Sequence, residues 1–247
     1  MHIHLPKPLH GWREFWGEVG IIALGILIAL AAEQLIEWVH WREKVTQATD
    51  ALHQSVTNNS VDAIEQQIVG TCIDRQLVAL EARVTAPGPY RPATLFSENG
   101  VSASPYTVRA PSRVWGDGTW RIITGEGVST HLPARIRERI DYIYETLDQM
   151  RGDARAADQA IWRLNSLSKV TSLEPETRLR LVQDIEELRG REALMTLASA
   201  QLLGAIQDVG MMPTASEIRE FANGHSGTIT FCRTHHLPLN PVRPVHV

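Results

Sequence analysis

Residues 19–32 form a continuous apolar run, VGIIALGILIALAA. As a helix this run rises about 21 Å, which is less than the roughly 30 Å hydrocarbon core of a bilayer. Tryptophans extend it on both sides, and Trp16 and Trp38 would lie about 33 Å apart along a helix. Such pairs are typical of the aromatic belts at the two membrane interfaces. The interfacial belt predicted here comprises Trp12, Trp16, Trp38 and Trp41.

The run therefore predicts a transmembrane helix over residues 16–40, preceded by a tail at 1–15. Two alternatives stay open. A soluble protein could bury the run as a core helix, and Ala29-Leu30-Ala31 has the small-x-small form of a signal-peptide cleavage site. Glu14 and Glu18 argue against the signal peptide, because they stand where a positive region is expected. The run is apolar on every face, which disfavours a helix lying flat in the interface.

Three further blocks carry apolar side chains at three- and four-residue steps, the spacing of a buried helix face. The first runs from Leu52 to Val84; residues 58–60 (Asn-Asn-Ser) are expected to interrupt or bend it and residues 87–89 to end it. The second, Ile136 to Leu164, is a heptad seam without a miss, typical of a coiled coil.

The third block runs from about Ser172 to Val209 in the same register, with Glu192 and Ser199 as exceptions and Gly210 as its expected C′ residue. Residues 193–207 carry no charge, but a buried bundle helix explains them better than a second span. We therefore expect a mainly α fold: a transmembrane helix followed by an antiparallel bundle over residues 41–225, and a C-terminal tail at 226–247.

One long irregular insertion, residues 86–128, interrupts this helical pattern. It is rich in proline and glycine, and it is far longer than most connections in a compact domain. Residues 106–109 and 120–124 read as short strands. The insertion can be a cap over the end of the bundle, which we favour, or it can form a pocket for an anionic or partner ligand. The candidate ligand residues are Arg109, Arg113, Trp115, Trp120 and Arg121.

Two cysteines, Cys72 and Cys232, are the only thiols among 247 residues. In an exported domain they can form a disulfide bond that ties the C-terminal tail to the first helix. The alternative is two unreactive thiols. Cys232 with His235 and His236 supplies at most three metal ligands on a proline-rich tail, so no metal site is predicted.

Composition and motifs argue against two classes of function, nucleic-acid binding and catalysis. The net charge of −4 gives no basic surplus for binding nucleic acid. The chain contains no nucleophile elbow, phosphate-binding loop or dinucleotide fingerprint, so we expect neither an enzyme nor a bound cofactor.

The N-terminal segment resembles a known family. Gly17-Glu18 followed by Gly25-Ile26-Leu27-Ile28-Ala29-Leu30, and the preceding residues 6–13, are similar to the N-terminus of a group of uncharacterised bacterial membrane proteins, a domain of unknown function. The resemblance covers about 35 residues. It implies a single-pass protein of the bacterial inner membrane and implies no activity.

These observations favour a non-enzymatic envelope protein that acts as sensor, adaptor or assembly partner, with its soluble domain in the periplasm. The expected partners are the lipid bilayer, an unidentified envelope protein and a second copy of the chain. The alternative is a subunit of an oligomeric membrane complex in which the span itself takes part in ion movement. Glu18, one turn inside the level of Trp16, is the candidate intramembrane acid.

Gly25, Ala29 and Ala32 place small side chains on one stripe of the span, where two helices can approach closely. Replacing Gly25 and Ala29 with Leu is expected to weaken self-association of the span by about 1–2 kcal/mol. Crosslinking of the full-length protein in membranes measures this. A wild-type protein that yields no dimer at any expression level would contradict the prediction.

Overall fold

The computed structural model describes residues 11–92, 107–224 and 227–241. Most of the predicted N-terminal tail, residues 93–106 of the insertion and the last six residues of the C-terminal tail lie outside these ranges. The described residues are mainly helical and contain no strand, so the fold class is confirmed. The helices are α1 Trp12–Thr85, α2 Gly118–Gly125, α3 Ala134–Leu164, α4 Pro175–Asp208, α5 Ala215–Gly224 and α6 Gly227–Thr234, with 3₁₀ turns at Val128–His131 and Asn165–Ser168.

Three predictions about local structure are wrong. The described residues of the first predicted strand, 107–109, form no strand, because side chains of the bundle bond the Thr107 and Arg109 backbone in place of a neighbouring strand. Residues 120–124 lie in α2 rather than in a strand, because Trp120 and Ile123, three positions apart, are both buried on one helix face. Residues 58–60 do not interrupt α1, which is helical throughout. Asn59 and Ser60 are buried there, and their side chains find hydrogen-bond partners, which offsets their low helix propensity.

The chain divides into two compact units, residues 1–49 and 50–247. In the first unit the large apolar side chains between Trp12 and Val39 are exposed, and none of the most apolar window is buried. A core helix of a soluble protein would bury these side chains, so their exposure disfavours that alternative. In the described part of the chain α1 alone is long and apolar enough to cross a membrane.

Aromatic residues near the two ends of the apolar run contact one another or a neighbouring cation. The rings of Trp12 and Trp16 stack with centroids 6.5 Å apart. The Arg42 guanidinium lies 5.3 Å from the centre of the Trp38 ring, a cation–π distance.

The second unit is an antiparallel helical bundle. Ion pairs between α3 and α4 run in opposite directions along the two helices, so the helices are antiparallel; they join Arg139 to Asp208, Asp153 to Arg191 and Arg163 to Asp184. Helices α1 and α4 are antiparallel as well, because Gln66 bonds Glu192 and Asp74 pairs with Arg189.

The predicted seams form the core. Ile140, Leu147 and Leu164 on α3, and Ile185 and Leu202 on α4, are completely buried. The two polar exceptions of the α4 seam are buried as well, Glu192 at 6% and Ser199 at 0% exposure. Both therefore keep the heptad register at the cost of placing polar groups in the core.

Helix ends are closed by specific contacts. Gly210 has φ of 69° and ends α4 as predicted: its N–H bonds Gln207, and the N–H of Met211 reaches back to Ile206, the two bonds of a Schellman motif. At the end of α1, Arg178 donates to the carbonyl oxygens of Val84, Ala86 and Gly88. These carbonyls would otherwise lack donors.

Residues 227–241, the described part of the predicted C-terminal tail, pack onto the bundle. Ile229 and Cys232 of α6 are buried, and Asn240 bonds the carbonyls of Gln67 and Ile68 on α1. The sulfur atoms of Cys72 and Cys232 are joined as a disulfide bond, with Cα atoms 6.1 Å apart. The bond links α1 to a segment 160 residues further along the chain.

This disulfide is testable in native membranes. After thiol blocking under denaturing conditions, neither Cys72 nor Cys232 is expected to be alkylated until a reductant is added. Because the bond closes a long loop, replacing both cysteines with Ala is expected to lower the free energy of unfolding by about 2–4 kcal/mol. Full alkylation of both thiols without reductant would contradict the assignment.

Candidate functional site

An extended segment, residues 109–116, lies along α1 in the second unit. The side-chain amide of Gln76 pairs with both backbone groups of Arg109: its Oε1 accepts from the Arg109 N–H at 2.7 Å, and its Nε2 donates to the Arg109 carbonyl at 3.0 Å. Asn59 does the same at Gly116, with both bonds at 3.1 Å. Each amide therefore satisfies one donor and one acceptor, as a neighbouring β-strand would.

The two pairings fix the direction and the extension of the segment. Asn59 and Gln76 are about 25 Å apart along α1. Seven residue steps from Arg109 to Gly116 cover about 24 Å only when the backbone is nearly fully extended. The segment must therefore run antiparallel to α1 with little slack.

Groups on α3 and on the turn that follows it complete the attachment. The Asn165 side chain accepts from the Thr107 N–H at 2.9 Å, and Arg151 Nε donates to the Trp115 carbonyl at 2.9 Å. The segment is thus held by side chains of the bundle rather than by a backbone ladder.

Arg113, between the two amide pairings, meets a pair of carboxylates on α1. Its Nε lies 2.7 Å from Glu65 Oε2 and 3.4 Å from Asp62 Oδ1. Glu65 is completely buried, and a buried carboxylate is stable as an ion only beside a cation or several donors. Burial raises the pKa of Asp62 to about 6, with Arg113 opposing the rise and Glu65 adding to it.

A third carboxylate, Glu192, lies between α1 and α4. Its Oε2 accepts from Gln66 Nε2 at 2.8 Å. Burial raises the pKa of Glu192 to about 7; the hydrogen bond from Gln66 opposes this rise, and the nearby charge of Asp158 adds to it.

A cleft of about 340 Å³ opens beside the extended segment. One wall is residues 108–113, and the other is formed by α3 and the start of α6. Arg109 and Arg113 bring positive charge to the first wall, and Asp158 brings negative charge to the second. A cleft of this size can admit a small polar molecule.

Asp158 faces the cleft with Ser112 as its hydrogen-bond partner. Burial raises the pKa of Asp158, and the hydrogen bond from Ser112 opposes this effect. Within the described ranges no arginine, lysine or histidine forms an ion pair with it. A carboxylate in such a setting can bind a cation or a hydrogen-bond donor brought by a ligand.

Only two of the five predicted ligand residues line the cleft, Arg109 and Arg113. Trp115 is buried in the fold at 1% exposure. Trp120 stacks on Tyr144 and donates its indole N–H to Asp141. Arg121 is mostly exposed and pairs with Asp117. The interpretation as a cap over the end of the bundle, with solvated arginines, does not describe residues 109–116, because they run along α1 and pair the partly exposed Arg113 with the buried Glu65.

The predicted span residues stand on α1 in the first unit. Glu18, Gly25, Ala29 and Ala32 are all exposed there. A Cβ at Gly25 would meet no heavy atom within 4 Å beyond its own helix, so the stripe has room for a close helix neighbour.

Several residues of the site escaped the sequence analysis. Gln76 and Asp158 were not singled out, and Asn59 was noted only as part of an expected interruption of the helix, because exposed and buried polar positions look alike in a heptad pattern. The sequence did contain a weak signal for Glu192, because it is a carboxylate at a position of the α4 seam that is otherwise apolar. A carboxylate buried at such a position needs a hydrogen-bond partner. No metal-binding cluster of three or more His, Cys, Asp or Glu side chains occurs among the residues described.

Comparison of the chain with family models, with curated proteins and with solved structures finds no match.

The buried carboxylate of Glu192 makes stability depend on pH. Its pKa in the fold, about 7, exceeds the ordinary value of 4.5, so the folded state holds this proton more tightly. The contribution of Glu192 to stability is therefore full below pH 4.5 and falls until about pH 7. Between pH 4.5 and pH 8 the wild type is expected to lose about 3 kcal/mol of unfolding free energy through ionisation of Glu192. The Glu192→Gln variant has no carboxylate at this position and should not show this loss.

Urea unfolding of the full-length protein at both pH values measures the effect. Exposed Glu145 on α3 provides the matched control, and Glu145→Gln is expected to leave the pH dependence as in the wild type. Parallel stability curves for Glu192→Gln and wild type would show that Glu192 does not hold a proton in the fold.

Proposed function

We propose that this chain is a membrane-anchored, non-enzymatic sensor of the bacterial envelope, whose soluble unit binds a small polar ligand in the cleft beside residues 108–113. The observation that carries the proposal is the cleft itself. It is ligand-sized, it lies against the insertion that the sequence marks as unusual, and charges of both signs converge on it.

The construction of the cleft wall supports a binding role. Residues 109–116 have no strand partner, yet Asn59 and Gln76 hold their backbone at both ends. Side chains on a wall fixed in this way are oriented before a ligand arrives, which lowers the entropy cost of binding.

Three further features support placement in the envelope. The apolar, exposed part of α1 near the N-terminus is a candidate membrane span. The Cys72–Cys232 bond suits an exported domain, because disulfides persist in oxidising compartments such as the periplasm. The resemblance of residues 11–38 to uncharacterised bacterial inner-membrane proteins supports the same placement.

An assembly or ion-conducting role through the span remains the alternative proposal. It rests on the small-residue stripe and on Glu18 alone. No contact in the described part of the chain favours it over the sensor.

A thermal-shift screen of the full-length protein in detergent micelles tests the sensor proposal. The probes are amino acids, sugars, nucleotides, organic acids and polyamines. We expect at least one class to raise the melting temperature of the wild type but not of Ala110→Trp, whose indole fills the cleft. Ala82→Trp, at an exposed position on α1, is the matched control and should respond as the wild type does. Shifts that persist in Ala110→Trp, or no shift with any class, would reject the proposal.

A further inference from the structure

Two neighbouring residues in the middle of the extended segment are attached to carboxyl groups of two different helices. Arg113 Nε lies 2.7 Å from Glu65 Oε2 and 3.4 Å from Asp62 Oδ1, both on α1. The Ser112 hydroxyl donates a hydrogen bond to Asp158 on α3. The two ends of the segment are held by neutral amides, whereas its middle is held through groups that can gain or lose a proton.

A third helix brings a fourth carboxyl group to the same place. Glu192 of α4 accepts a hydrogen bond from Gln66 at 2.8 Å, and Gln66 directly follows Glu65 on α1. The charge of Asp158 acts on Glu192, so these two carboxyl groups lie close together. Their hydrogen-bond partners are a neutral hydroxyl and a neutral amide, which satisfy a carboxylate without cancelling its charge.

Cations near these carboxyl groups do not balance their charge. Arg113 contacts two of them, and Arg109, on the same segment, lines the cleft with Asp158. The start of α6 lines the cleft with Gly227 and Thr228, which carry no charge. When all four carboxyl groups are ionised they outnumber the two arginines of the segment, and like charges at close range disfavour full ionisation. Other cations on the surrounding helices are exposed or pair with other acids: Arg155 on α3, and Arg189 and Arg191 on α4.

We propose that Asp62 and Asp158 form a proton-operated latch on the extended segment: protonated, they let the segment lie firmly against α1 and α3, and ionised, they loosen its middle. Because residues 108–113 are a wall of the cleft, the latch makes the shape of the cleft depend on pH. The inference rests on the proposed sensor function for its biological role, and it adds the proton as a regulator of the same cleft.

The latch works through the cost of buried charge. Protonation of Asp158 removes a charge that faces only a hydroxyl, and the neutral carboxyl group can still form a hydrogen bond with Ser112. Protonation of Asp62 leaves Arg113 paired with Glu65, which is completely buried. Each proton therefore removes an unfavourable charge and keeps the attachment of the segment.

The pKa shifts of the two latch residues have the sign that this requires. Burial raises the pKa of Asp62 from 3.8 to about 6, and burial also raises the pKa of Asp158. Release of the segment exposes these groups to solvent, so the closed state holds the protons more tightly. The resulting stabilisation of the closed state is full below pH 3.8 and is lost as the pH rises through about 6.

Hydrogen exchange of the full-length protein in micelles tests the latch without any ligand. Protection factors of the Arg109 and Gly116 N–H groups, corrected for the intrinsic exchange rate, are compared at pH 5 and pH 8. Since pH 5 lies one unit below the pKa of Asp62, ionisation of this group alone should lower protection about tenfold by pH 8. The segment should stay less protected than α4 at both pH values, which separates its opening from unfolding of the whole unit.

Substitutions that mimic the protonated groups should remove the pH dependence. Asp62→Asn combined with Asp158→Asn is expected to keep the protection seen at pH 5 when the pH is raised to 8. The exposed residues Asp50 on α1 and Glu145 on α3 supply the charge-matched control, Asp50→Asn combined with Glu145→Gln, which should lose protection as the wild type does. Protected amides in α4 show that each variant is folded.

Equal protection at pH 5 and pH 8 in the wild type, an unchanged pH dependence in the Asp62→Asn and Asp158→Asn double variant, or a segment as well protected as α4 would overturn the latch. The sensor proposal is decided separately, by the ligand screen with Ala110→Trp. A screen without any shift removes the ligand site and leaves a pH-dependent segment standing, and a pH-independent segment leaves the result of the screen untouched.

Discussion

The two-point pairing of Asn59 and Gln76 with an extended backbone is the constraint on which the rest of the second unit depends. Residues 109–116 have no neighbouring strand, and buried backbone groups without partners are costly. Two amides on one helix face, about 25 Å apart, supply these partners and leave only a nearly straight path between them. That path places Arg113 against Glu65 and directs Arg109 to the cleft, so the same constraint positions the ion pair and the candidate binding wall.

Buried charge is the cost of this arrangement. Glu65 is completely buried and Glu192 nearly so, and an apolar core of the same shape would be at least as stable. Arg113 and Gln66 offset part of the cost through hydrogen bonds. Of the two, Glu65 bonds Arg113, which lines the cleft, whereas Glu192 lies on the apolar seam of α4.

Patterns local in sequence predicted the helices well and the site poorly. The heptad steps of α3 and α4 and the end of α4 at Gly210 follow from periodicity and backbone preference, and the structure confirms them. Asn59 shows why the site could not be predicted: in sequence it reads as a helix breaker, but its partner is Gly116, far along the chain. Likewise, nothing local distinguishes Arg113, which pairs with a buried carboxylate, from Arg121, which is exposed on α2.

Hydrogen exchange of residues 107–117 tests the central claim, that side chains of the bundle hold this segment in an extended conformation. In the full-length protein the N–H groups of Arg109 and Gly116 are expected to exchange slowly, although they belong to no helix or strand, because Gln76 and Asn59 accept their hydrogen bonds. The Asn59→Leu and Gln76→Leu variants should lose this protection, while α3 and α4 keep theirs. Exchange of the segment in the wild type at the rate of an unstructured chain would contradict the account.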